Sequence, residues 1–136
     1  MAHSAKALLK WEPWDPEPWD VAPAGPALLR GTGVVHHYTG DLEAVGRAET
    51  LISHLPDGSA SMVAIERIDG RLGDRTGTFV LRAVGSVAGG VSELAWTVVP
   101  GSGTGELAGL HGEGGYRTDH MGRDGHADVE LRYDFD

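Results

Sequence analysis

The chain has 136 residues, no cysteine, and a formal net charge of −9 from 20 acidic and 11 basic side chains. That length suits one domain burying roughly two thirds of the surface its unfolded form exposes. The acidity repels phosphate backbones and anionic lipid heads, which argues against nucleic-acid and membrane partners, and the missing thiols exclude disulfides, thiolate metal sites and a thiol nucleophile.

Residues 1–13 hold no sustained apolar run, so neither a secretory segment nor a spanning helix is read and a cytoplasmic location is expected. A first strand is expected over 6–12. Glu12-Pro13-Trp14-Asp15 is then echoed by Glu17-Pro18-Trp19-Asp20, with Trp11 just before. Prolines fix φ, lack a donor and push the preceding residue towards extended geometry, so 11–26 is read as a stiff, irregular Trp/Pro-rich segment packed on the domain. It should cover a barrel end or the seam between first and last strands. Trp14 and Trp19 are then expected to be at least half buried, with indole N–H groups served by Asp15, Glu17 and Asp20.

From residue 27 onward the pattern is strand after strand. Apolar runs rich in Val, Ile, Leu and Thr, punctuated by glycines and by Asp-Gly or Gly-Asp pairs, predict strands at 28–38, 42–54, 60–68, 71–87, 91–99, 110–119 and 127–135, with one helical turn around Glu106-Leu107-Ala108. The fold class is therefore all-β, an eight-stranded antiparallel barrel. Closure removes exposed edges, and a barrel of this size can hold one small ligand. In-strand glycines such as Gly31, Gly33, Gly77 and Gly85 suit the bulges and coiling that closure demands.

Hairpin arithmetic yields the candidate site. A two-residue tip at Asp57-Gly58 pairs Glu49 with Glu66 as direct cross-strand neighbours. Carried through a turn at Asp69-Gly70 and another at Gly89-Gly90, the same alternation gathers Glu66, Met62, Phe79, Leu81, Trp96 and Val98 on the inner face. It leaves Thr50, Ile52, Val63, Ile65, Val80 and Arg82 outside. Two carboxyls in an apolar interior form an acid/base pair, one kept protonated by desolvation and repulsion. Their other reading is surface ion pairing with Arg47, Arg67 and Arg82. The outward apolar stripe points to a homo-oligomer, most simply a dimer.

The run Val99 to Gly109 superficially resembles a phosphate loop but lacks the Lys-Ser/Thr ending and a following helix, so it is read as a tight turn at a barrel end. Asp119, His120, Asp124 and His126 lack known metal-loop spacing, so neither a metal nor another cofactor is expected. His36 and His37 alternate faces, so at most one reaches the interior.

Five stretches carry a resemblance: Trp14-Asp15-x-x-Pro18-Trp19-Asp20, Thr39-Gly40-Asp41, Pro56-Asp57-Gly58-Ser59-Ala60, Ile65-Glu66-Arg67, and the run from Trp96 through the glycine-rich block to Gly114. From about residue 8 to the C-terminus the chain resembles the bacterial family called domain of unknown function 3224. The resemblance implies a fold similar to the allene oxide cyclase and plant dirigent barrels, which act on small apolar substrates by shaping a ring closure or coupling. Glu49 and Glu66 fit glutamates of that family, whereas His36 and His37 fall outside its pattern. Two classes follow. One is a cofactor-independent isomerase or cyclase with Glu49 and Glu66 as catalytic groups and Met62, Phe79, Leu81, Trp96 and Val98 around an apolar substrate; the other is a non-catalytic ligand-binding or structural barrel.

Overall fold

A computed structural model describes residues 2–21, 25–120 and 124–136. Among the described residues nine strands follow in chain order: β1 His3–Trp11, β2 Glu17–Val21, β3 Ala27–Gly40, β4 Leu42–His54, β5 Ala60–Leu72, β6 Arg75–Ala88, β7 Val91–Val98, β8 Leu110–Thr118 and β9 His126–Phe135. All neighbours are antiparallel. β9 returns to β1, and β1 pairs with β3, closing an eight-stranded barrel to which β2 adds an extra strand. β1 takes the Trp11↔His36 to Ala7↔Gly40 half of the β3 edge, and β2 takes the Ala27 to Arg30 half. Between them, residues 12–16 cross the barrel mouth. Residues 22–24, part of the expected Trp/Pro-rich segment, lie outside the described residues.

Two hairpins depart from the expected arithmetic. At β4–β5 the loop holds three residues, Pro56-Asp57-Gly58, closed by Leu55 N–H donating to the Ser59 carbonyl at 2.8 Å, with Gly58 at φ +89°. Asp57 pins it by accepting from Ser59 N at 2.9 Å and Ser59 Oγ at 2.6 Å. An odd loop shifts pairing by one residue. Glu66 therefore faces Ala48, and Glu49 faces Ile65. Thr50 and Ile52, expected outside, are buried at 8% exposure each. At β5–β6 the reversal occurs at Gly73-Asp74, four residues beyond Asp69-Gly70, which lies within β5. Sliding a two-residue tip by whole residues changes the sum of paired residue numbers by an even amount, so Met62, Phe79 and Leu81 keep the faces the alternation predicted. The β6–β7 tip falls at Gly89-Gly90, so Leu81 pairs with Val98 as expected.

The barrel interior has two unlike halves. At the end formed by the β3–β4, β5–β6 and β7–β8 connections, Leu42, Ile68, Leu72, Phe79, Leu81 and Leu110 are all at most 2% exposed. A 3-10 turn, Gly105–Leu107, drops Leu107 into this plug at 0% exposure. The glycine-rich run before it is sewn to the part of β6 that β7 does not reach: Thr104 N–H donates to the Thr78 carbonyl, Ser102 Oγ accepts from Val80 N, and the Glu106 carboxylate accepts from Thr76 N and Oγ1. The run that superficially resembled a phosphate loop thus supplies the missing edge of the barrel wall. Each of these large apolar side chains contributes stability at ~25 cal/mol per Å² of apolar surface removed from water.

Candidate functional site

The other half of the barrel contains a cavity of about 340 Å³ beneath residues 13–16, lined mainly by apolar side chains. That volume lies within the range that holds small ligands.

Glu66 stands at its floor, 5% exposed on β5. Its cross-strand neighbour Ala48 is short, and Gly46 one pleat along shows no side chain, so the carboxylate reaches across β4 to β3. A Cβ at Gly46 would lie 2.0 Å from Glu66 Oε2. On β3, Tyr38 Oη donates to Oε2 at 2.5 Å, and His36 Nδ1 lies 2.9 Å from Oε1. Both distances are those of charge-assisted bonds to a carboxylate. Burial first, then the Glu66 charge and its hydrogen bond, push the Tyr38 hydroxyl well above the usual phenol range. Tyr38 therefore stays protonated and locks the carboxylate. In the tautomer whose Nδ1–H donates to Glu66, the His36 Nε2 lone pair is left free to accept.

The inward position of His36 depends on one irregularity. Between Gly31↔Thr50 and Val34↔Ala48, β3 spends one more residue than β4. This bulge inverts the alternation, so Gly31 before it and Val34, His36 and Tyr38 after it all point inward. Gly33 at φ +59° makes the bulge possible, and its N–H donates to Glu49 Oε2 at 2.5 Å. His37 faces outward and meets the Glu12 carboxylate at 2.7 Å.

Aromatic rings wall the cavity. Trp96, 3% exposed between Ala83 and Gly114 on the flanking strands, meets Tyr38 edge-on at 6.0 Å and Tyr116 at 6.1 Å. Burial pushes the Tyr116 phenol up to about 12 despite its hydrogen bond with Ser92, so it too is neutral and a donor. Trp11 and Trp14 roof the space in seats left by glycines: a Cβ at Gly125 or Gly31 would strike their rings at 1.9 and 2.5 Å. Trp19 does not share this roof. It lies on β2, 51% exposed, its indole N–H donating to the Leu29 carbonyl at 3.2 Å rather than to a nearby carboxylate.

Of the sequence-predicted site residues, Glu66, Met62 and Trp96 meet at this cavity. Phe79, Leu81 and Val98 share the inner face but belong to the packed plug, each 1% exposed. Glu49 is on the outer surface as the anchor of the bulge, so the expected Glu49–Glu66 carboxyl pair does not form. The alternation rule missed His36, Tyr38 and Tyr116. Gly31-Thr32-Gly33 was the available signal, since paired glycines inside a strand mark a bulge.

Compared with known proteins, no curated protein matches. A crystal structure of a protein with unknown function from the DUF3224 family of Shewanella oneidensis MR-1 is 32% identical, with a TM-score of 0.76 over 100% of this chain and 97% of that one. The family model described as protein of unknown function (DUF3224) matches residues 6–133, and with a barrel shared end to end at that identity, the chain belongs to the DUF3224 family.

Proposed function

We infer that this barrel binds a small, mainly apolar molecule in its mouth half and moves a proton on it without a cofactor, as an isomerase or cyclase does. The observation that carries this reading is a buried carboxylate, Glu66, hydrogen-bonded at both oxygens and holding His36 at the wall of an otherwise apolar cavity. A carboxylate on Nδ1 orients the imidazole, raises the basicity of Nε2 and stabilises the imidazolium that forms when Nε2 takes a proton. Tyr116, a neutral hydroxyl on the same cavity, donates to an oxygen on which charge develops. The proton returned by His36 to a different atom of the bound molecule completes a redox-neutral isomerisation. Dry walls and a fixed pose provide the rest of the catalysis. A barrel of the allene oxide cyclase and dirigent type, which the family resemblance implies, takes the same class of apolar substrate. An exposed row on the outer face of β4, β5 and β6, Leu51, Val63, Ile65 and Val84, supports self-association as a further part of this reading.

The test has two arms. N-phenyl-1-naphthylamine, a neutral fluorophore, should bind the full chain saturably at one site, and Ala64→Phe, which fills the cavity, should weaken binding by at least about tenfold while the melt stays cooperative. Nitrogen NMR should place the neutral His36 proton on Nδ1 in the wild type and redistribute it in Glu66→Gln. Unsaturable dye binding, or a His36 tautomer indifferent to Glu66, would remove the basis for this function.

A further inference from the structure

We propose that the cavity takes a hydrophobic organic cation, a protonated amine carried on an apolar body; this rests on the cavity being the binding site argued above. Its ionisable lining runs from Asp15 at the mouth past His36 to Glu66 at the floor, and among the described residues no lysine or arginine lines it. A ligand carboxylate would enter beside one anion and end beside another with no cation to meet it. The formal net charge of −9 adds a field of the same sign, which repels anions and draws cations.

Aromatic geometry selects the same class. Trp11, Trp14, Trp96 and Tyr116 all contribute to the lining. Trp96 and Tyr116 meet edge to face, their planes 80° apart, so the pair sets rings in two orientations beside the cavity. Ring faces carry the negative side of the aromatic quadrupole and attract a cation within about 6 Å of the centroid, most strongly where water is excluded.

Hydrogen-bond chemistry agrees. With Nδ1 serving Glu66, His36 presents Nε2 as an acceptor, and Glu66 retains acceptor capacity beyond the two bonds it makes. An ammonium group therefore finds aromatic rings, an imidazole nitrogen and a carboxylate together. A neutral alcohol fits the same space without the charge interaction.

The proposal is tested by titrating the tryptophan fluorescence of the full chain at about pH 8, where imidazoles are ordinarily neutral, with octylamine, octanol and octanoate. Octylamine should bind about tenfold more tightly than octanol, octanoate should bind most weakly, and Glu66→Gln should cut the amine's advantage over the alcohol by at least about threefold. If that variant does not fold, the wild-type ranking decides alone. An amine no better than octanol, or octanoate equal to octylamine, overturns the cation assignment and leaves the barrel a binding protein. Failure of all three to bind saturably overturns the cavity reading as well.

Discussion

Replacing Tyr38 by Phe isolates the bond that locks Glu66. The ring is 2% exposed and packs edge-on against Trp96, so Phe keeps the apolar contacts and deletes only the hydroxyl that donates to Oε2 at 2.5 Å. A buried carboxylate left short of one donor costs about 1.5–3 kcal/mol, which for a chain of this length lowers Tm by roughly 5–10 °C. The variant also changes the alkaline limb. Tyr38's folded pKa is raised by burial first and then by Glu66, whereas the unfolded phenol titrates near 10.0. Between those values the folded chain holds a proton that the unfolded chain has released. The stability belonging to this group is therefore complete below pH ~10 and is lost as pH rises through the folded pKa, at up to ~1.4 kcal/mol per pH unit. Tyr116 has the same sign, with a folded pKa of about 12, but it is present in both proteins and cancels in their difference. Chemical denaturation of wild type and variant from about pH 7 to pH 11 should show a gap that is constant to about pH 10 and then narrows. A gap that stays constant to the alkaline end, or a variant as stable as wild type at neutral pH, would refute the Tyr38–Glu66 lock.

Gly46→Ala places a methyl 2.0 Å from Glu66 Oε2 and should cost about 1–3 kcal/mol, most of it recovered in a double variant with Glu66→Ser, as read by urea denaturation. Gly33→Ala puts a side chain at φ +59° and should cost about 1–2 kcal/mol, while Glu49→Gln, which keeps an acceptor for the Gly33 N–H, should cost under about 1 kcal/mol. Sedimentation equilibrium should show a dimer that Ile65→Asp converts to monomer without loss of the fold, since Ile65 is 51% exposed on the outer face; a wild-type monomer at high concentration would remove self-association from the proposed function.

The barrel was legible because its signals are local and repeated. Each hairpin carries its own turn residues, and the closed sheet needs only that successive apolar runs pair. A tip misplaced by four residues at Asp69-Gly70 left every inner side chain of β5 and β6 on its proper face, because sliding a two-residue loop by whole residues always changes the sum of paired residue numbers by an even amount, here eight. A loop of three residues instead of two at Pro56-Asp57-Gly58 changed that sum by one and turned β4 over, with Glu49 outward and Thr50 and Ile52 inward. The inner face was thus recoverable from Met62 to Val98 and lost one strand earlier. Nothing in alternation alone separates cavity from plug on that face. Phe79, Leu81 and Val98 fall in the plug because the glycine-rich run brings Leu107 across that end, a contact made between residues far apart in the chain.

His36 was hidden for a different reason. Val34-Val35 and His36-His37 are like pairs, so either alternation of β3 buries one valine and one histidine, and periodicity has no preference between them. Tyr38 against Thr39 is the one adjacent pair here whose members differ in apolar bulk, and it favours the alternation in which His36 turns inward. The one-residue bulge reconciles that choice with the other half of the strand, where Gly31 must point inward to leave room for Trp14. Roof and floor thus impose opposite parities on β3, and the extra residue between them is what satisfies both. Glu49, selected from the sequence as half of a catalytic pair, holds that residue in place from outside. It bears on the site by setting which histidine meets Glu66, without touching the cavity itself.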